Sequence, residues 1–203
     1  MSRIILFSAA SLAALSLAAC GDNLSTDTAL TTPTTETAAV DPSATENATR
    51  EAQEFVNAAG QASLVEIRTS EMALEKSASP DVKAFAQMMI DNHKASIDKL
   101  KAAASAASLM PPADILDDFH IRRINDLVET DGDADFDADY AALQVDAHND
   151  AIKLFEDYSK DMDATAQLKM YADESLPTLQ THKAEAEKIR DIINKIDKSP
   201  NPS

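Results

Sequence analysis

The chain has 203 residues and a formal net charge of −17, with 44% hydrophobic and 26% charged residues, 3 glycines, 4% aromatics and a single cysteine. That length allows one ordinary domain plus extensions, and the acidic balance without Lys/Arg clusters argues against nucleic-acid backbones and anionic lipid headgroups as partners. Ala, Leu, Lys, Asp and Glu dominate, no long alternating or β-branched run reads as a strand, and the expected class is all-α.

The first residues, Met1-Ser2-Arg3, give a weakly basic start to the stretch IILFSAASLAALSLAA, which is too short and too rich in Ala and Ser to span a bilayer. It ends in Leu17-Ala18-Ala19-Cys20, which resembles the lipobox of bacterial lipoprotein signal peptides. The resemblance implies cleavage before Cys20, lipid attachment at Cys20 and a chain held at the bacterial cell envelope through that lipid. A disulfide role for Cys20 fails because no second cysteine exists. Gly21 follows where an Asp would suggest inner-membrane retention, so the resemblance implies the outer membrane, facing the periplasm. The tract DNLSTDTALTTPTTETAAVDPSAT has little to bury and reads as a flexible tether. The expected organisation is a signal peptide at 1–19, a lipid-anchored tether at 20–45, a helical bundle at 46–196 and a disordered tail at 197–203.

Helical signals then follow in order. The first helix is expected over 46–78, with Phe55, Ala59, Ala62, Glu66, Thr69 and Ala73 on one stripe. Ser79-Pro80-Asp81 reads as a stop and restart, with Ser at the N-cap and Pro at the first helical position. The second helix is expected to reach Ala107, carrying Val82, Phe85, Met89, Ile97 and Leu100 on its apolar face, and to break at Leu109-Met110-Pro111-Pro112. A short helix is expected over 114–129, a longer one over 135–160, and a last one capped by Asp163, kinked at Pro177 and ending near Ile196. Short connections make antiparallel hairpins of the first and last helix pairs, and residues 108–134 are long enough for a crossover. The expected architecture is a ferritin-like antiparallel four-helix bundle with an extra short helix in the crossover.

In such a bundle the helix midpoints share a layer. They fall near Ala62, His93, His148 and Leu179, which brings Glu66, His93, His148 and His182 to mid-height, one from each long helix. Glu66, His93 and His182 lie on the apolar stripes of their helices; His148 sits at a flank, beside Gln144 and Phe155. Two readings compete for this layer. Three neutral imidazoles and a carboxylate suit one divalent transition metal (Fe, Mn, Zn or Cu). The same four groups also suit a buried hydrogen-bonded layer. A di-iron centre of the ferritin type needs Glu-x-x-His pairs, and the chain has none. Asp91 and Asp146 stand two residues before their histidines and read as solvated charges or as groups orienting a ligand from outside.

Other candidates carry less. The run DGDADFDAD at 131–139 resembles a calcium loop but has Phe136 and Ala142 where Gly and Glu are required, leaving helix capping as its role. Asp117 and His120 share a face beside Arg122 and Arg123 and read as an exposed polar patch. Met72, Met88, Met89, Met110 and Met170 read as core fillers rather than Cu(I) ligands. No Gly-rich phosphate loop or nucleophile motif is present, so no catalytic residue is assigned.

The stretches FVNAAGQASLVEI, VKAFAQMMIDNHKASIDKL, FDADYAALQVDAHNDAIKLFEDY and LPTLQTHKAEAEKI, with the spacing of His93, His148 and His182, resemble a bacterial family catalogued as domain of unknown function 4142. The resemblance implies a ferritin-like fold and an envelope location, and no activity. Asn92 stands where that family usually has Asp before the first histidine. Two functions are therefore expected to compete: a metal-binding envelope lipoprotein, or a structural envelope lipoprotein that docks a partner protein. An enzyme would need an open coordination position and a substrate cleft, and the sequence shows neither.

Overall fold

The computed structural model describes residues 42–130 and 133–197, and every regular element among them is an α-helix. Cys20, the 1–19 leader, nearly all of the 20–45 tether, residues 131–132 and the tail beyond 197 lie outside the described residues. The elements are α1 (Pro42–Lys76), α2 (Pro80–Ala106), α3 (Asp118–Val128), α4 (Asp133–Lys160) and α5 (Ala166–Asp197). None of them is long and apolar enough to cross a membrane.

Helix ends follow local chemistry. α1 begins at Pro42, earlier than the expected residue 46, because the fixed φ of proline suits a first helical turn. Ser79 caps α2 as expected, its Oγ accepting the Val82 N–H at 3.4 Å, with Pro80 and Asp81 in the first turn. α2 stops before the proline pair. Ser108 adopts φ 59°, and the Leu109 N–H reaches the Ala104 carbonyl at 2.9 Å, the left-handed closure that usually employs glycine. α3 starts later than expected because Asp117 caps it, accepting the His120 N–H at 2.9 Å and contacting His120 Nδ1 at 2.6 Å. Asp163 does not cap α5: its N–H is held by Asp161 Oδ1 at 3.0 Å, and the Thr165 carbonyl accepts the Lys169 N–H at the true start. Pro177 lies inside α5, which continues through it without interruption.

The topology comes from a few cross-helix contacts. α1 pairs with α2 and α4 with α5; α1 also packs on α4, and α2 on α5. Thr69 meets Gln144 and Ser70 meets Tyr140, whereas Phe55, nearer the start of α1, meets Tyr158, nearer the end of α4. α1 and α4 are therefore antiparallel. The pairs Asn92–His182 and Ser96–Tyr171 make α2 and α5 antiparallel too. It follows that α2 and α4 run the same way, so their connection must climb the bundle. It does so along α1. Gln53 binds the Met110 backbone through both amide atoms, Gln61 binds the Ile115 carbonyl and the Asp117 N–H, and Lys76 Nζ binds the Val128 carbonyl. A Cβ at Gly60 would lie 2.4 Å from Pro112 Cβ, so this close passage requires glycine.

The core divides in two. One apolar cluster gathers Phe55, Leu100, Phe155, Tyr158, Leu168 and Tyr171. The other gathers Val82, Phe85, Met89, Leu127, Phe136 and Tyr140. On every long helix, the mid-height residue falls between the segments feeding the two clusters: Glu66 lies between Ala59 and Ala73, His93 between Met89 and Leu100, His148 between Val145 and Ala151, and His182 between Leu179 and Ala186. Met89 is a core filler, with Met72 and Met88 packed against its cluster. Met110 and Met170 are not; both are exposed. α3 lies on α1 and α4, buries Leu127 and leaves Phe119 and Ile121 exposed.

Candidate metal centre

Each long helix delivers one residue to mid-height because its apolar stripe carries that residue inward. Glu66 is 1% exposed, His93 4%, His148 0% and His182 2%. His148, expected at a flank, is the most deeply buried of the four. Gln144, His148 and Phe155 are all buried on α4, while Leu143 and Leu154 are only half-buried.

The three imidazoles converge. Each offers one nitrogen to a set whose members all lie within 4.8 Å of one another. Ring centroids are 5.8 Å apart for His93–His148, 5.3 Å for His93–His182 and 5.4 Å for His148–His182. Glu66 stands beside this set, with Oε2 at 2.6 Å from His93 Nε2 and Oε1 at 3.3 Å from His148 Nδ1.

Each ring is held from its outer side. His148 Nδ1–H donates to the Gln144 carbonyl at 2.8 Å, which leaves Nε2 with a lone pair. His182 Nε2 meets the Asn92 amide at 2.9 Å, and His93 Nδ1 lies 3.5 Å from Ser63 Oγ. The inner side is different. Glu66 Oε1, His93 Nε2, His148 Nε2 and His182 Nδ1 are buried and have no hydrogen-bond partner in the protein beyond the close ion pair of His93 Nε2 with Glu66 Oε2. A buried polar atom left unpaired costs about 1–3 kcal/mol. Four such atoms, one from each residue and all in one layer, make an incomplete network.

Electrostatics point the same way. Burial pushes the Glu66 carboxyl up, yet attraction to His93, His148 and His182 outweighs it and holds the group below the usual carboxylate range. Burial, reinforced by His93 and His148 against the pull of Glu66, pushes the His182 imidazole down to about 4. At neutral pH the layer therefore contains a carboxylate and a neutral His182, the protonation states that ligate cations.

The other sequence candidates fall away from this layer. Asp91 is exposed and bonded to Gln87, and Asp146 is exposed on the α3–α4 surface. Asp117 and His120 make the α3 cap described above, in line with a surface role. Asn92, Ser63 and Gln144, which orient the histidines, had drawn no role from sequence. Gln144 carried a signal: it sits one turn before His148, a polar residue on an otherwise apolar line.

A family model described as Domain of unknown function (DUF4142) matches residues 36–189. The chain belongs to this family. The match takes in Glu66, His93, His148 and His182, and ends inside α5. The family description names no activity, and no curated protein or solved structure matches the chain, so the functional argument rests on the layer itself.

Proposed function

We propose that the bundle binds one divalent transition metal ion through His93, His148 and His182, with Glu66 as the anionic fourth member of the site. One observation carries this reading: four buried polar atoms of these residues lack hydrogen-bond partners within a single layer. An ion among the three imidazole nitrogens would engage them together, and the Glu66 carboxylate beside them would offset half of its charge. The Gln144 carbonyl fixes the His148 ring from outside by accepting its Nδ1–H, as ligand-orienting groups do in metal sites, and Asn92 contacts the outer nitrogen of His182. The hairpin-crossover-hairpin connectivity suits the ferritin-like arrangement, in which bundle cores recurrently hold metals. The Cys20 motif further supports a lipoprotein tethered to the bacterial envelope, and Cys20→Ser should release the protein from membranes.

Metal content after purification without chelator tests the reading. One ion per chain is expected, falling below a tenth in His93→Ala and His182→Ala. Sub-stoichiometric metal under every loading condition would contradict it. That result would favour the second reading, a polar layer that fixes helix register in a partner-docking bundle. The exposure of Met110, Ile115 and Phe119 along the crossover, 70%, 78% and 61%, is the observation in its favour.

A further inference from the structure

The two sides of the histidine layer are not closed alike. On the α1–α4 side, which α3 covers, Glu66 and His148 are fully buried. On the α2–α5 side lies a cavity of about 480 Å³, and both His93 and His182 line it. Its cause is visible in the sequence of α2. Ala95, Ala102, Ala103 and Ala106 line the cavity from that helix, and such short side chains leave the groove between the helices unfilled. The lining residues run from Asn92 to Ala106, which at 1.5 Å per residue is roughly 20 Å of groove. This is the cleft that the sequence did not reveal.

The cleft has chemistry at its inner end. Ser96 Oγ and Tyr171 Oη are 2.9 Å apart, about one turn along α2 from His93. Their mutual bond uses one of the two hydroxyl hydrogens. Burial raises the Tyr171 pKa, so its hydroxyl remains a donor. Lys99 lies on the same wall and Glu174 on the opposite one, a balance that disfavours large polyanions. A divalent ion held by three neutral imidazoles and one carboxylate keeps a single positive charge, and in a buried site that charge attracts a small anion.

We propose that the metal site has an open coordination position facing the α2–α5 cleft, and that a small monoanionic ligand, such as a hydroxide or a short carboxylate, reaches the ion there with the Ser96–Tyr171 hydroxyls as its hydrogen-bond donors. The inference rests on the metal reading above. With His93, His148, His182 and Glu66 as protein ligands the exchangeable position is a fifth one, and a site that keeps a position open handles exogenous ligands, as opposed to closed structural sites.

Co2+ as the metal and azide as the anion test the two ideas separately. The full chain loaded with Co2+ should show a saturable change in its d–d absorption on titration with azide. Ala95→Phe or Thr178→Phe, each at a cleft-lining position, should bind Co2+ at the same stoichiometry but require at least tenfold more azide. Ser96→Ala should weaken azide several-fold without changing Co2+ content. Bound Co2+ that ignores azide would overturn the open position and leave the metal reading intact. An azide response unchanged in both Phe variants would overturn the cleft as its route. Failure to bind Co2+ at all would overturn both ideas.

Discussion

The two apolar clusters and the polar layer between them solve the problem of burial in opposite ways. In the cluster around Phe55, the ring stacks on Tyr158 at 4.0 Å and meets Phe155 edge-on at 5.2 Å, and the buried Tyr158 and Tyr171 hydroxyls find Thr165 and Ser96. Little is left unsatisfied. In the layer, four inward-facing polar atoms have no hydrogen-bond partner in the protein. The clusters hold the helices together; the layer weakens the bundle unless something fills it. That contrast separates the part of the core packed for stability from a layer whose polar groups are left incomplete.

The comparison predicts that damage to a cluster and damage to the layer have different signs. Phe55→Ala removes the centre of an aromatic cluster and should cost about 3–5 kcal/mol in denaturant titrations, while the folded fraction still binds metal. The joint replacement Glu66→Met, His93→Leu, His148→Leu and His182→Leu should do the reverse. Exchanging a poorly satisfied polar layer for apolar side chains should leave the metal-free bundle unchanged or more stable by about 1–4 kcal/mol, with metal binding abolished. A large loss of stability there would show that the layer itself holds the helices.

Acid should probe the layer and spare the clusters. The folded-state pKa of His182 is depressed to about 4, whereas in the unfolded chain it is about 6.5. Between those values the unfolded chain binds the proton and the folded chain does not. Metal-free stability should therefore fall as the pH drops through that window, with a slope approaching 1.4 kcal/mol per unit, about that of one group. Glu66, held below its usual range, adds a loss of the same sign at lower pH. His182→Gln should remove the upper part of this slope. A metal-free protein whose stability does not change between pH 6.5 and 4 would contradict a buried neutral His182.

A smaller effect sharpens the role of Asn92. Its amide contacts His182 Nε2. Asn92 Nδ2 donates to Nε2 and so leaves the ring proton on Nδ1; Asn92→Asp can only accept, which draws that proton to Nε2 and frees the Nδ1 lone pair, so metal affinity should rise about tenfold. Competition against a chelator of known affinity reads this change. An unchanged or weakened affinity would detach Asn92 from the site.

Much of this was legible in the sequence. The helical class, the Ser79-Pro80-Asp81 restart and the mid-height meeting of Glu66, His93 and His182 follow from period and spacing alone. His148 was misplaced toward a flank because Gln144, being polar, was discounted when the α4 stripe was drawn; in the fold Gln144 is fully buried, as His148 is. Asp163 reads as the α5 cap in the sequence, but the helix starts at Ala166, which leaves Asp163 in the turn before its first residues. The cleft was invisible for a different reason: alanines read as good helix formers, and only the distance between α2 and α5 shows that they leave a groove.

The account stands on an ion in the layer, and the metal-dependent shift in melting temperature at neutral pH tests it most directly. With Fe2+, Mn2+, Zn2+ and Cu2+ in turn, at least one ion should raise the Tm in proportion to the logarithm of its free concentration, equivalent to about 2.7 kcal/mol at a hundredfold excess over the Kd. The increment should shrink in His148→Gln and vanish near about pH 5, where protons displace the ion. No increment with any of the four ions, or one that His148→Gln leaves unchanged, would contradict a metal held by this layer.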